Sequence, residues 1–284
     1  MDVCLIQVPY HAGDARAGSA RGPAKCVRAG AADRLAALGL KARITEVEPG
    51  IPFRDTVSTS FAVCSRLATK VAEAIAVREL PIALAGGCDA SKGVLSGFDH
   101  AACGVVWFDA HGDFNTPEST ISGYFPGMSM AVITGHCYQR AWARLGHAEL
   151  IREECVVMLG VRDLDPLERE RLERSRIQVV GWHDGEPREN LVPALDRLAS
   201  RVHQVYLHID MDAMAPEVAP GVVDRPVPGG LNLDQLDAEL GAVVDRFRIR
   251  AATIATYNPE RDQDERTLGA VLHILETLGR RLAS

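Results

Sequence analysis

The sequence has few aromatic residues and no excess of positive charge. Aromatic residues make up 5% of the 284 residues, and the formal net charge is -7. Proteins that bind single-stranded nucleic acid stack the bases on aromatic side chains, and they hold the phosphates with Lys and Arg. Both absences argue against a nucleic-acid partner.

The sequence also has no apolar run of about 18 residues, no basic segment at its N-terminus and no CxxC spacing. These absences argue against a transmembrane helix, a secretory signal peptide and a disulfide framework. The seven cysteines are scattered, which is typical of reduced thiols and predicts a cytoplasmic protein. Glycine-rich nucleotide loops and a serine nucleophile elbow are missing too, so neither nucleotide binding nor serine-hydrolase chemistry is expected.

Apolar runs alternate with stretches of helical period along the whole chain. No linker or repeat interrupts them, so residues 1–284 are predicted to form one domain. Eight strands, several buried on both faces, predict a mainly parallel sheet in a three-layer αβα sandwich. The predicted strands are residues 3–8, 43–47, 82–85, 105–109, 156–160, 177–181, 205–210 and 251–255. The predicted helices are residues 24–38, 60–79, 166–175, 191–202, 233–247 and 265–281.

Metal-ligand side chains follow two of these strands. Asp109, His111 and Asp113 alternate directly after the run GVVWF, so an extended chain would project them to one side. Asp210 and Asp212 follow the run VYLHI in the same way. For one such segment alone, polar residues that end a strand would be the simpler interpretation. Two segments at one sheet edge favour a carboxylate-rich metal site, which suits Mn and also admits Zn or Fe.

These motifs, together with several landmarks, resemble those of the arginase/agmatinase ureohydrolase family over nearly the whole chain. The landmarks are the Gly22-Pro23 pair, the turn AGGC at 85–88, DAHGD at 109–113, HIDMD at 208–212, GGL at 229–231 and YNP at 257–259. The resemblance implies an arginase-like fold and two Mn²⁺ ions per chain, with other divalent metals possible. It also implies hydrolysis of a linear C–N bond and a homo-oligomer, either a trimer or a hexamer.

The resemblance further implies which residues hold the metals. Asp109, Asp113 and Asp210 would hold one Mn²⁺ together with a residue of the Gly-rich turn. Asp109, His111, Asp210 and Asp212 would hold the other, so that Asp109 and Asp210 bridge the pair. Water held between the two ions would attack the guanidinium carbon, and Asp113 would help pass a proton to the departing amine.

The Gly-rich turn has no His, although the family has a ligand His there. Counting from Gly86-Gly87 puts Asp89 at the ligand position, whereas counting back from Gly93 puts Cys88 there. We favour Cys88, because the segment CDASKG resembles variant turns of the family that carry Cys. A small buried thiol with no ligand role is the remaining alternative.

Two further positions depart from the arginase pattern. Pro126 stands where arginases have a His proton shuttle, and Thr256 stands where the family has a Glu that pairs with the guanidinium. A thiolate at the metals and a neutral Thr256 favour a head group less cationic than guanidine, such as an N-hydroxyguanidine. The loop HGDFNTPE is similar to that of a Cys-bearing subgroup that cleaves N-hydroxyarginine, but that subgroup keeps the Glu.

The amino-acid end of the family's site is present in the sequence. By the resemblance, Asn115 and Ser122 would bind an α-carboxylate, and Asp165 would contact an α-amino group. All of these could instead satisfy turns, and for Asp165 the two interpretations are equal. His208 either supports the metal ligands from behind or is a packed strand histidine.

The sequence therefore predicts a metal-dependent amidinohydrolase that does not cleave peptide bonds. Its substrate would be a small α-amino acid such as arginine, N-hydroxyarginine or a related compound, and its product urea or a substituted urea. Nucleic acid and membrane are not expected as partners. Two alternatives remain open: a non-catalytic homologue that binds an amino acid, and a single-metal amide hydrolase that uses the site with His111 alone.

Overall fold

The computed structural model describes residues 2–48, 50–222 and 226–283. Within these ranges, nine strands form one sheet in the order β2-β1-β3-β9-β8-β4-β5-β6-β7. Neighbouring strands are parallel except at the short β6–β7 hairpin. The strands are β1 Asp2–Val8, β2 Ala42–Glu46, β3 Glu79–Ala85, β4 Cys103–Phe108, β5 Val156–Val161, β6 Gln178–His183, β7 Glu186–Pro187, β8 Gln204–Asp210 and β9 Arg248–Ala255.

Helices cover both faces of the sheet, because alternate residues of each buried strand face opposite layers. In β1, Val3 and Leu5 belong to one apolar core, while Cys4 and Ile6 belong to a second core. The predicted three-layer αβα sandwich is therefore confirmed. The helices are α1 Gly22–Arg28, α2 Ala31–Ala37, α3 Thr56–Ala76, α4 Ser91–Ser96, α5 Ser129–Ile133, α6 Gln139–Trp142, α7 Pro166–Arg174, α8 Leu191–Ala199, α9 Leu233–Val244 and α10 Arg266–Ala283.

The structure differs from the sequence-based expectation at a few elements. The helix predicted over 24–38 is two helices, because Gly30 adopts a φ of +86° between them. The short β7 was not predicted, because a strand of two residues carries no alternating pattern. The helices α4, α5 and α6 are likewise too short to show a helical period.

The sheet order brings distant parts of the sequence to one edge. Strand β8 lies between β4 and β9, and β9 pairs with β3. Phe108 is opposite Ile209, and Asp210 is opposite Ala255. The segments that follow β3, β4, β8 and β9 therefore start side by side. Among the described residues, no helix is long and apolar enough to cross a membrane.

Candidate active site

Donor atoms from neighbouring strand ends converge at the carboxyl edge of the sheet. Cys88 lies in the 3-10 turn after β3, Asp109 directly follows β4, and Asp210 ends β8. Single donor atoms of Cys88, Asp109, His208 and Asp210 all lie within 4.8 Å of one another. Donor atoms of Asp109, His111 and Asp212 form a second group within the same limit. Asp109 belongs to both groups, which is the arrangement that a pair of adjacent metal ions needs.

The buried carboxylates of this cluster repel one another. Burial and the negative charge of Asp212 raise the pKa of Asp109 to about 6, and the same causes raise the pKa of Asp210 well above its ordinary value. Burial and the charge of Asp109 raise the pKa of Asp113, whose Oδ2 has no hydrogen-bond partner among the described residues. Buried anions are stable only when they are paired or bound to a metal. The donor set therefore fits divalent cations.

His111 lies between two carboxylates at the more open side of the cluster. Its Nδ1 is 3.3 Å from Oδ1 of Asp109 and 3.2 Å from Oδ2 of Asp212. Burial opposes its protonation, but the charges and hydrogen bonds of Asp212 and Asp109 together outweigh burial and raise the pKa of His111. Burial also opposes ionisation of Asp212, yet the charge of His111 lowers the pKa of Asp212 to about 2. His111 and Asp212 thus stabilise each other's charged forms, and His111 would release its proton on binding a metal.

The structure separates the two candidates of the Gly-rich turn. The Sγ of Cys88 donates a hydrogen bond of 2.7 Å to Oδ2 of Asp210, inside the donor cluster. The carboxylate of Asp89 instead accepts from Oγ of Ser60 and from the backbone N–H of Ala12. Burial and the charge of Asp210 raise the pKa of Cys88, whereas a coordinated thiol is deprotonated outright. Of the two residues, Cys88 is the one with a donor atom in the cluster.

Asp113 and Thr256 both have a positive φ, and both line the cavity beside the cluster. Asp113 has a φ of +46° and belongs to neither donor group, although it lines the adjacent cavity. Thr256 has a φ of +70°, and its hydroxyl donates to Oδ1 of Asp210. The hydroxyl of Thr256 is therefore engaged with a carboxylate of the cluster. His208, by contrast, contributes a donor atom to the first group.

A cavity of about 630 Å³ lies over the cluster. Its lining includes residues of both donor groups and all of the predicted substrate-binding residues, namely Cys88, His111, Asp113, Asn115, Ser122, Asp165, Asp210, Asp212 and Thr256. Pro126, at the position of the missing shuttle His, also lines it. The cavity thus joins the candidate metal site to the candidate amino-acid site.

The residues predicted to contact the amino acid also form hydrogen bonds within the protein. Asn115 Nδ2 donates to Oδ2 of Asp165 at 3.1 Å, and the same oxygen accepts from the backbone N–H of Ile121 at 3.1 Å. Ser122 Oγ accepts from the backbone N–H of Tyr124 at 3.1 Å. Asp165 is also the N-cap of α7. These residues therefore order their loops and still present polar atoms to the cavity.

Two supporting residues were missed by sequence reasoning. Arg162 donates to the backbone oxygens of Asp212 at 2.8 Å and Val227 at 3.0 Å, and so ties the loop after β8 to the following turn. Glu168, at the third position of α7, accepts from the backbone N–H of Phe114 at 2.8 Å. The sequence signal for Arg162 was its position directly after a buried strand. Glu168 completes a capping box with Asp165, which the spacing of the two residues could have indicated.

The fold and the donor groups together define a metal-dependent hydrolase. The model of the Arginase family matches residues 1–279. An arginase of Bacillus subtilis (strain 168) is 30% identical over 293 residues, which cover 97% of each chain. The solved arginase of Bacillus cereus is 27% identical with a TM-score of 0.87, and 98% of each chain is covered. That of Bacillus caldovelox is 26% identical with a TM-score of 0.88, covering 100% of this chain and 98% of the other. The chain therefore belongs to the arginase family and is a metal-dependent amidinohydrolase.

Proposed function

We propose that this enzyme hydrolyses a linear C–N bond in the guanidino or amidine group of an α-amino acid, and that it releases urea or a substituted urea. One observation carries the proposal: two donor groups share Asp109 next to the cavity that Asn115, Ser122 and Asp165 line. The cavity can thus take a molecule with an amino-acid end and a reactive C–N end. We further propose that the protein is cytoplasmic and that it forms a homo-oligomer, either a trimer or a hexamer. Light scattering coupled to gel filtration would measure the number of chains.

The donor groups support a pair of divalent ions, with Mn²⁺ as the first candidate. Asp109 would be shared by the two ions, Cys88 and Asp210 would hold one, and His111 and Asp212 would hold the other. Bound there, the ions would supply Lewis acidity to polarise the head group and to activate water. The Sγ proton of Cys88 would leave on binding, because a thiolate and not a thiol is the ligand.

The other cavity residues would orient the substrate and handle its proton. Asn115 and Ser122 would hydrogen-bond the α-carboxylate, and Asp165 would accept from the α-ammonium. Asp113 would carry a proton to the departing amine. Its Oδ2 supports this role, since it lacks a partner among the described residues and Asp113 lines the cavity. A group that transfers a proton must lie within hydrogen-bond reach of the substrate.

The head group is proposed to be less cationic than guanidine. The only side chain that β9 sends to the cavity from its carboxyl end, within the described ranges, is the neutral Thr256, and its hydroxyl is engaged with Asp210. A guanidinium there would have no carboxylate from this position, and hydrogen bonds to a charged partner contribute about 1.5–3 kcal/mol each. An N-hydroxyguanidine is less basic, so the absence of a carboxylate at this position would cost it less binding free energy.

A substrate panel tests the proposal. Protein loaded with Mn²⁺ is assayed with arginine, N-hydroxyarginine, a formimino amino acid and agmatine, which has no α-carboxylate. We expect turnover of N-hydroxyarginine to exceed that of arginine, and agmatine to be the poorest substrate. In the variant Asn115→Ala, the ratio of kcat/KM for arginine to kcat/KM for agmatine should fall at least tenfold, because the KM for arginine rises.

The same preparation separates the alternatives. Two metal ions per chain with no turnover of any compound, but with measurable binding of an amino acid, would favour the non-catalytic homologue. One tightly bound ion per chain, lost in a variant of His111 but retained in a variant of Cys88, would favour the single-metal amide hydrolase. Elemental analysis of protein purified without chelator provides the count.

A further inference from the structure

A fully buried histidine stands beside the metal-donor cluster. His208 lies in β8 two residues before Asp210, so both side chains project to the same face of the sheet. Its ring stacks on Trp107 of the neighbouring strand β4, with the ring centroids 3.6 Å apart and an interplanar angle of 14°. The indole N–H of Trp107 donates in turn to Oδ2 of Asp109 at 3.0 Å. The ring of His208 is therefore fixed in position relative to the cluster.

Hydrogen bonds determine which ring nitrogen carries the proton. The hydroxyl of Tyr206 donates to Oγ1 of Thr253 at 2.7 Å, and its oxygen is 3.1 Å from Nδ1 of His208. A phenol has a single hydrogen, and here it is directed to Thr253. The Nδ1 of His208 must then carry the ring proton and donate it to Tyr206. This leaves a lone pair on Nε2.

That lone pair has no partner within the described part of the chain. The Nε2 of His208 is buried and makes no hydrogen bond there. A ring nitrogen of His208 is nevertheless part of the donor group with Cys88, Asp109 and Asp210, in which the atoms lie within 4.8 Å of one another. Nδ1 is occupied by Tyr206, so Nε2 is the nitrogen available to this group. Buried polar atoms are nearly always satisfied, so an unpaired one in such a group indicates a ligand.

We propose that Nε2 of His208 is a ligand of the metal ion held by Cys88, Asp109 and Asp210. The proposal uses the same metal site as the proposed function, but it does not require turnover. Metal-binding histidines typically donate their second ring N–H to an oxygen, which fixes the tautomer, and Tyr206 provides that oxygen.

The consequence is a pair of sites with different metal preferences. The buried site offers a thiolate, an imidazole and carboxylates, a set that favours Zn²⁺, Fe²⁺ or Co²⁺ over Mn²⁺. The site of Asp109, His111 and Asp212 offers two carboxylates, one imidazole and no sulfur, and it therefore suits Mn²⁺ better. We therefore expect the two ions of one chain to differ in affinity and in preferred element.

Metal binding to the chelator-stripped full-length protein tests the assignment without using activity. Co²⁺ is titrated into the wild type and into His208→Phe, which keeps an aromatic ring against Trp107 but has no nitrogen. We expect the wild type to bind two ions, one of which gives a sulfur-to-cobalt charge-transfer band. In His208→Phe that ion should bind at least a hundredfold more weakly. Tyr206→Phe, which keeps the imidazole but frees its tautomer, should weaken the same ion by about ten- to a hundredfold.

A measurement on protein with an intact His208 covers the case in which His208→Phe fails to fold. Proton NMR of the Co²⁺-loaded wild type should show hyperfine-shifted, exchangeable imidazole N–H signals from both His111 and His208. In His111→Ala one such signal should remain, because it belongs to His208, and its loss would overturn the proposal. Identical Co²⁺ affinity and spectra in the wild type and a folded His208→Phe would overturn it as well.

The two proposals fail in different ways. If the wild type binds no divalent ion, both this proposal and the proposed function are wrong. If two ions bind and N-hydroxyarginine is turned over, but His208 variants bind both ions normally, only the role of His208 is wrong. If binding depends on His208 but no substrate is hydrolysed, the ligand assignment stands and the proposed function is wrong.

Discussion

At the scale of single residues, Thr256 determines the charge that a substrate head group meets at the end of β9. Thr256→Glu should add a carboxylate there and raise the kcat/KM ratio of arginine to N-hydroxyarginine by about 10- to 100-fold, the effect of a charge-assisted hydrogen bond of roughly 1.5–3 kcal/mol. The backbone has a φ of +70°, and Glu is not β-branched, so the change adds no backbone strain.

Thr256→Gln is the matched control for this prediction. Gln has nearly the size of Glu but no charge, so its ratio of the two kcat/KM values should stay close to that of the wild type. Efficient cleavage of arginine by the wild type, with no gain in Thr256→Glu, would show that charge at this position does not select the head group.

Cys137 provides a test of burial at a residue away from the metal site. It is partly exposed, whereas the other six cysteines are buried. Burial raises the pKa of Cys137 to about 11, and only the thiolate reacts with disulfide reagents. The labelling rate of the native protein should therefore rise about tenfold per pH unit from pH 8 towards pH 11. Cys137→Ser should remove this reaction, and a rate that levels off near pH 9 would contradict the raised pKa.

The residues also show where sequence patterns stop being informative. Alternation groups Asp109 with His111, and both belong to one donor group, but β4 ends at Phe108 and the backbone at Asp113 has a positive φ, so strand alternation does not extend to Asp113. The choice between Cys88 and Asp89 depends on Ser60 of α3, which no local pattern connects to the turn. The free nitrogen of His208 depends on Tyr206 and Thr253, and thus on the pairing of β8 with β9.

At the scale of elements, the loop that follows β8 is held by a close backbone crossing at Gly230. Gly230 has a φ of +106°, and a Cβ there would lie 2.7 Å from the backbone oxygen of Ala213. Gly230→Ala should therefore displace the loop that carries Asp212. We expect a loss of about 3 kcal/mol or more in the free energy of unfolding, measured with urea, together with weaker metal binding.

The neighbouring Gly229 is the matched control for Gly230. It also has a positive φ, +76°, but a Cβ there would meet its nearest atom only at 3.6 Å. Gly229→Ala should therefore lower the free energy of unfolding only by the cost of placing a Cβ on a left-handed backbone, about 1–2 kcal/mol. Its metal affinity should stay that of the wild type. Equal effects of the two substitutions would show that the crossing with Ala213 is not what holds the loop.

The elements were predicted best where the signal is local. Asn232 and Gln235 predict the start of a helix, and both capping hydrogen bonds are present at α9. Each predicted strand coincides with an observed one, and the central strands β3, β4, β5 and β8 do so because buried strands are continuous apolar runs. The order of the strands, in which β9 separates β3 from β8, could not be predicted. It depends on crossover connections and on packing between segments far apart in the sequence.

At the scale of the whole molecule, the donor cluster joins the ends of the central strands β3, β4, β8 and β9. Without a cation, the buried carboxylates of Asp109 and Asp210 are destabilised by burial and by the charge of Asp212, which raise the pKa of both. Bound metal should therefore stabilise the entire sheet. An ion present at a thousand times its Kd adds about 4 kcal/mol to the free energy of unfolding.

Removal of metal by a chelator should consequently lower the melting temperature by about 8 °C, since 1 kcal/mol corresponds to roughly 2 °C in a chain of this size. Addition of Mn²⁺ or Zn²⁺ in excess of the chelator should restore it. In Asp109→Asn the melting temperature should not respond to either treatment. The stripped variant should be at least as stable as the stripped wild type, because one of the repelling charges is gone. A wild type that melts at the same temperature with and without chelator would show that the cluster holds no ion tightly enough to contribute to folding.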